Sequence, residues 1–224
     1  MHMDRKKYEP DLAQVFDEIA PNWYNRFHWT RFKTELGALA CRWQKGHLLN
    51  LGCGHGADFL PFKDKFKLYG IDFSHGMLEQ ADRYAEKFDF SPELTAGNIR
   101  NLPYDENTFD WAIAVAAFHH MKGPAEICDA FRELFRVLKP GGEAFITMWN
   151  RWQPGFWFKP KELFVPWRSG NRVLKRYYYL ASYAQTERFA KKAGFTIIAS
   201  FPEASYRFPV KHFSKNICLL VKKP

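Results

Sequence analysis

The chain has 224 residues, 46% hydrophobic and 25% charged, which suits one α/β domain, or one domain with an insertion, and excludes a disordered or fibrous chain. No run of eighteen apolar residues exists, so no segment reads as a membrane span, and Met1 to Pro10 lack the apolar stretch of a secretory signal. The net charge of +9 is unevenly spread: residues 1–150 carry 18 Lys and Arg against 21 Asp and Glu, residues 151–224 carry 15 against 3. A one-signed cluster of that kind attracts polyanions or is simply a solvated basic face. Cys41, Cys53, Cys128 and Cys218 have no metal-finger spacing. They read as reduced thiols of a cytoplasmic protein, and no metal site is expected.

In chain order, Leu12, Val15, Phe16 and Ile19 form a helical stripe ending at Ala20-Pro21, and Phe32, Leu36, Leu39, Ala40 and Trp43 form a second one stopped by Gly46. His47 to Leu51 reads as a buried strand, Ala57 to Phe66 as a helix, and Lys67 to Ile71 as a strand. His75 to Lys87 is a helix with Ser74 as N-cap. Pro92 to Ala96 and Phe109 to Ala116 are strands, Pro124 to Leu138 a helix, and Glu143 to Met148 a strand. Gln185 to Ala193 is a helix, followed by strands at Phe195 to Phe201 and Asn216 to Val221. Alternating strands and helices mean parallel strands with right-handed crossovers and helices on both faces. The order breaks between Trp149 and Tyr183, a stretch too long for an ordinary connection and therefore functional or a small subdomain. One domain spans 1–224: N-terminal helices or lid over 1–45, core over 46–148, basic aromatic insertion over 149–183, and a C-terminal helix with strands over 184–224.

The sharpest motif is Leu49-Asn50-Leu51-Gly52-Cys53-Gly54-His55-Gly56, between a strand and a helix. Glycines there permit a tight turn and close approach of backbone to a ligand. Asp72 ends the next strand, twenty residues after Gly52, where a carboxylate can accept from both ribose hydroxyls. Further on stand Ala96-Gly97-Asn98-Ile99-Arg100-Asn101-Leu102-Pro103-Tyr104, Asn107-Thr108-Phe109-Asp110, Phe118-His119-His120, and Arg136-Val137-Leu138-Lys139-Pro140-Gly141-Gly142.

Together these pieces resemble the class I S-adenosylmethionine-dependent methyltransferases over residues 45–150. The resemblance implies a doubly wound, Rossmann-like sheet of seven strands with the last antiparallel. It implies S-adenosylmethionine as cofactor, held by Asn50, Gly52, Cys53, Gly54 and Gly56 under the methionine part, Asp72 at the ribose, and Asn98 and Ile99 at the adenine, with Phe73 and Ala116 as further cofactor contacts. The family usually has Asp at the position of Asn50 and often at that of Asn98; the amides keep an acceptor but lose a charge that would attract the sulfonium.

Ile19-Ala20-Pro21-Asn22-Trp23, Arg26-Phe27, Trp29, Phe164-Val165-Pro166-Trp167 and Arg176-Tyr177-Tyr178, with His119-His120 between them, narrow the likeness. The chain resembles the tRNA wobble-uridine methyltransferases, which methyl-esterify 5-carboxymethyluridine, over residues 15–195. This implies tRNA as partner and, often, a small zinc-binding activator protein at a sheet edge. The coincidence of rings and cations in the last third suits a splayed single-stranded loop. The substrate contacts read from it are Trp29, Trp149, Trp167, Arg172, Lys175, Arg176, Tyr177 and Tyr178. A carboxylate is already ionised at neutral pH, so the chemistry needs alignment and a cation rather than a base. Arg26 is the first choice for that cation because its fork fits a carboxylate; one of His119 and His120 bonds the uracil or orients the acid, the alternative being a structural pair with one ring buried against the helix and one at the surface. The rival readings are a small-molecule methyltransferase acting on a quinone precursor or other metabolite, and a non-catalytic RNA-binding relative.

Overall fold

The computed structural model describes residues 11–169 and 172–224, so the reading of Met1 to Pro10 falls outside the described residues. Glycine and capping residues divide the chain into α1 (Leu12–Arg26), α2 (Lys33–Trp43), β1 (Gly46–Leu51), β2 (Phe66–Asp72), α3 (His75–Phe88), β3 (Glu93–Ala96), β4 (Phe109–Ala114), α4 (Gly123–Val137) and β5 (Leu138–Trp149). Then follow β6 (Glu162–Ser169), β7 (Arg172–Tyr179), α5 (Tyr183–Lys192), β8 (Thr196–Pro202) and β9 (Asn216–Lys222).

Seven strands form one sheet in the order β3-β2-β1-β4-β5-β9-β8, and β6 and β7 form a separate hairpin. β1 pairs parallel with β2 and β4, β4 with β5, and the last strand, β9, runs antiparallel between β5 and β8. Successive residues of the inner strands are apolar because both faces are covered. Leu49 and Leu51 pack toward α4 and α5, Leu48 toward α2. Each such side chain, fully buried, contributes about 1.5–3 kcal/mol. α2 is pinned to the sheet by one carboxylate: Glu143 accepts from Arg42 Nε (2.8 Å) and Nη2 (2.7 Å) and from Trp43 Nε1 (2.8 Å).

Three boundaries differ from the sequence reading by more than two residues. α1 does not stop at Pro21 but runs on to Arg26, because Trp23 packs on Phe16 and Trp167 and carries the helix past the proline. Ala57–Phe62 is a 3₁₀ turn rather than a helix to Phe66; Pro61 has no N–H to extend α-helical bonding. β5 begins at Leu138, directly after α4, since Leu138 pairs with Phe109 and Gly141 and Gly142 exchange backbone bonds with Lys223. The stretch after Trp149, where the alternation breaks, contains the β6–β7 hairpin, whose base lies against the turn Phe118–His120 and whose flank lies against α1. That packing carries the insertion over the carboxyl edge of the sheet.

Candidate active site

A cavity of about 610 Å³ opens where β1, β2 and β4 end, walled by the glycine loop, α1, the His119-His120 turn and the hairpin. Open-sheet folds place ligands at this edge. Gly52, Cys53 and Gly54 form its floor. Gly52 (φ +67°) has no room for a side chain, since a Cβ would stand 2.6 Å from that of Ala117. Gly54 (φ +53°) has nothing within 4 Å of such a position. Its bare backbone therefore borders open space. Ala116, a non-glycine residue at φ +56°, lines the wall and donates its N–H to Thr147 Oγ1 at 2.8 Å. Left-handed conformations of this kind collect at ligand sites.

Asp72 ends β2 with its carboxylate at the cavity. One oxygen accepts from Gly54 N (2.9 Å), the other from Ser74 N (3.0 Å), tying the glycine loop to the start of α3. Burial pushes its pKa up to about 6 against the pull of these N–H groups. Each oxygen keeps a lone pair for a hydroxyl. Phe73 and Ile99 line the same wall. Asn50, read from the sequence as a cofactor contact, is not brought to the cavity: it lies beneath the loop, fully buried on the inner strand, with neither amide atom paired. Gly56 closes the turn by donating to Cys53 O (3.0 Å) and stands behind the wall. Asn98 is not brought to the cavity: exposed, its Oδ1 accepts from the N (3.0 Å) and Nε (3.3 Å) of Arg100, a local turn that consumes the acceptor. The open backbone of Gly54 and the acid at the strand end fit S-adenosylmethionine, the loop below its methionine part and Asp72 at its ribose.

Across the cavity lies a nest of rings and cations. Arg176 is almost fully buried, with no acid partner among the described residues and Nε unpaired. Its guanidinium lies over Trp167 (5.1 Å), Tyr178 (5.4 Å) and Trp23 (5.5 Å). Burial lowers its pKa, and nearby Arg26 lowers it further. Arg26 rests over Trp167 at 5.2 Å and over Phe27 at 5.7 Å. Trp149 stacks on Tyr178 (4.2 Å), and His119 stacks on the same ring (4.9 Å). His119 and His120 are both buried and both line the cavity. Burial holds both imidazoles down, His120 to about 4 and His119 well below its ordinary value. Trp29 is mostly exposed at the rim, packed on Phe88 at 5.5 Å.

The substrate-facing set divides. Trp29, Trp149, Trp167, Arg176 and Tyr178 reach the cavity together with Arg26, His119 and His120. Tyr177 does not; strand alternation turns it to the other side of β7, where its hydroxyl accepts from Gly123 N at 3.2 Å and its ring meets Phe164. Arg172 and Lys175 stay on the exposed end of the hairpin, and Arg172 is spent on Glu18 of α1 at 2.9 Å. Arg176, read as an RNA-surface cation, is instead an interior one; its even-number parity with Leu174 and Tyr178 was the available signal. The reading also missed Asp58 and His55 on the cavity wall. Burial pushes Asp58 up to about 6 and His55 down to about 4, and His55 Nε2 is unpaired. A lone acid in the apolar turn Ala57–Phe62 was the clue to Asp58.

This fold and this edge site are those of the S-adenosylmethionine-dependent methyltransferases, and residues 48–142, somewhat less than half of the chain, match the family model described as a methyltransferase domain. Among curated proteins it is 33% identical to a tRNA (carboxymethyluridine(34)-5-O)-methyltransferase of Arabidopsis thaliana, over 64% of this chain and 33% of that protein. It is 31% identical to a demethylmenaquinone methyltransferase of Symbiobacterium thermophilum, over 60% of this chain and 57% of that one. The chain thus spans less than two thirds of the length of these relatives. A solved S-adenosylmethionine-dependent methyltransferase from Clostridium acetobutylicum superposes with a TM-score of 0.73 at 15% identity, covering 92% of this chain and 98% of its own. The putative methyltransferase of Haloferax volcanii, solved in complex with the Trm112 methyltransferase activator, does so with a TM-score of 0.64 at 18% identity, over 93% and 97%. At such identities the likeness is one of fold. No helix among the described residues is long and apolar enough to cross a membrane.

Proposed function

We propose that this chain methylates the carboxylate of a carboxymethyl group on a wobble uridine of tRNA, in the cytoplasm. The observation that carries this reading is Arg176: a buried guanidinium with no acid partner among the described residues, held by three aromatic rings in the cavity that also contains the cofactor loop. A buried unpaired cation is costly, and a bound anion offsets that cost. S-adenosylmethionine, held by the glycine loop and Asp72, would supply an electrophilic methyl to one carboxylate oxygen, leaving as the neutral thioether with no proton exchanged. Arg176 and Arg26 hold the carboxylate and leave its attacking oxygen oriented; the aromatic walls exclude water. Two histidines kept neutral by burial are poor bases, which suits an acceptor already ionised.

The basic last third supports RNA as the carrier of that acceptor, and the relative from Arabidopsis supports it independently. Lys159, Lys161, Arg168 and Lys175 are exposed around the hairpin, beside exposed Trp157 and Phe158. Such a mixture holds phosphates and stacks bases. A small activator protein is part of the proposal: β3 pairs only with β2 among the described residues, and the Haloferax neighbour was solved with an activator. The second reading is methylation of a quinone precursor, favoured by the similar identity to the Symbiobacterium enzyme.

The test is methyl transfer by the purified protein, with and without a co-expressed activator, to tRNA carrying 5-carboxymethyluridine and to demethylmenaquinone. Nucleoside mass spectrometry should show the methyl ester in tRNA. Product from the quinone alone would select the second reading.

A further inference from the structure

The hydrogen bonds of His119 and His120 fix opposite tautomers. His120 Nδ1 lies 2.8 Å from the carbonyl oxygen of Tyr177, which only accepts, so Nδ1 carries the proton and Nε2 is a bare acceptor. The backbone N–H of Trp149 points at His119 Nδ1 at 3.3 Å, so that nitrogen accepts and the proton of the neutral ring sits on Nε2. Both rings line the cavity, neither Nε2 has a partner among the described residues, and neither is among the unpaired atoms sealed from it. The ring centres are 4.6 Å apart. The cavity is therefore offered one donor and one acceptor, side by side.

Both rings are held in place. Tyr178 stacks on His119 at 4.9 Å and meets His120 at 4.5 Å; Phe16 meets His120 edge-on at 5.0 Å. Burial keeps both imidazoles neutral, and the nearby Arg176 charge adds to the effect. The charged groups around the pair are thus cations, Arg176 first, and protonation does not scramble the pattern at neutral pH.

We infer that this pair reads the imide edge of the target uracil, His119 Nε2–H donating to the C4 carbonyl oxygen and His120 Nε2 accepting from N3–H. The inference rests on the function proposed above and names how the same site chooses its base. Uracil presents a carbonyl beside an N–H on this edge; cytosine presents an amino group beside a bare nitrogen. Cytosine would set donor against donor and acceptor against acceptor. The placement of Arg176 agrees: a carboxymethyl arm on C5 is adjacent to the C4 carbonyl, so the carboxylate's cation and the carbonyl's donor must be neighbours, and Arg176 lies over the ring that stacks on His119.

The experiment uses two anticodon stem-loop RNAs, identical except for 5-carboxymethyluridine or 5-carboxymethylcytidine at the wobble position. Methyl transfer is followed as kcat/KM with wild type, His119→Phe and His120→Phe. Wild type should prefer uridine by on the order of 100-fold or more, since a polar site rejects a mismatched hydrogen-bonding edge strongly. Phenylalanine keeps the ring packing and removes the polar edge, so each variant should be slower on uridine and should lose much of the preference. Equal kcat/KM for the two RNAs in wild type overturns the inference, and that arm does not depend on any variant folding. An unchanged preference in both variants overturns it as well. No methyl transfer to either RNA, with cofactor binding intact, instead removes the function it rests on.

Discussion

The guanidinium of Arg176 lies 5.1 Å from the centre of the Trp167 ring, and that ring is also the platform for Arg26, at 5.2 Å. Two like charges share an aromatic surface beside a cavity, and no acid among the described residues answers the inner one. Stability alone gives no reason for this arrangement; an anionic ligand does. Arg176→Met should therefore leave thermal stability unchanged or raise it, by up to about 4 kcal/mol, because an apolar residue of similar length needs no counter-charge. The same variant should lose methyl transfer by on the order of 100-fold, from charge-assisted bonds of about 1.5–3 kcal/mol. Calorimetric melting beside the tRNA assay checks both. A fall in stability with full activity would mark Arg176 as a structural residue.

Arg26 is more open to solvent than Arg176, so it should matter less to stability and in a graded way to turnover. Arg26→Lys keeps the charge but loses the fork, and should lower kcat more than it changes cofactor affinity. Arg26→Ala should lower kcat further. Wild-type kcat in both would leave Arg176 as the sole carboxylate clamp.

Cofactor affinity should fall as pH drops below about 6. The pKa of Asp72 is raised from 3.8 to about 6 by burial. In the ligand-free protein the folded state thus holds more protons than the unfolded one between these values, and stability decreases as pH rises through that window. Ribose hydroxyls bond the ionised form and lower this pKa, so binding near pH 6 releases protons. One such group costs about tenfold in affinity for each pH unit below its pKa. Titration calorimetry with S-adenosylhomocysteine at pH 5 and 7.5, in buffers of differing ionisation enthalpy, measures both effects. Asp58, raised to about 6 as well, is separated by Asp72→Asn, which should weaken binding and flatten the dependence. Equal wild-type affinity at both pH values would disprove the role of Asp72.

The glycine loop gives a paired prediction. Gly52→Ala meets both a positive φ and a Cβ contact of 2.6 Å with Ala117, so it should destabilise the fold by roughly 1–3 kcal/mol or shift the loop. Gly54→Ala meets only the positive φ, at a cost of about 1 kcal/mol, but places a methyl group in the cavity. Its main effect should be on cofactor affinity. Thermal melts and cofactor titrations of the two variants should rank in opposite orders.

The parts of this fold written in local pattern were legible in the sequence. An apolar run bounded by glycines marked β1, apolar runs marked β4, β5 and β9, and the resemblance to a known family supplied the antiparallel direction of the last strand. The glycine loop and Asp72 were legible because a strand-to-helix turn at fixed spacing is a local motif. Helix ends near Pro21 and Phe62 were not, since the packing of Trp23 and the 3₁₀ geometry are tertiary outcomes. Arg172 and Arg176 look alike in sequence, two cations in one basic stretch. Only the docking of the hairpin on α1 pairs the first with Glu18 and buries the second among Trp23, Trp167 and Tyr178. Asn98 kept its family position, but Arg100, two residues on, takes its oxygen.

That difference between two arginines extends to the RNA surface and its test. Lys175 is exposed on the hairpin and forms no ion pair among the described residues, whereas Arg172 is bound to Glu18. If the hairpin tracks a phosphate backbone, Lys175→Glu should weaken tRNA binding and reduce its dependence on salt by about one counterion, with cofactor affinity unchanged. Arg172→Glu should act differently: it sets a second carboxylate against Glu18 and so loosens the hairpin from α1. Because that hairpin carries Trp167 and Arg176 into the cavity, this second variant should lower kcat at saturating tRNA. Glu18→Lys combined with Arg172→Glu restores an opposite-charge pair and should recover kcat, though not the affinity lost with the surface cation. Filter binding across a salt series, with kcat measured beside it, separates the two roles. Unchanged tRNA affinity in Lys175→Glu, at every salt concentration, would make this end of the hairpin a solvated face and move the RNA path toward Lys159 and Lys161.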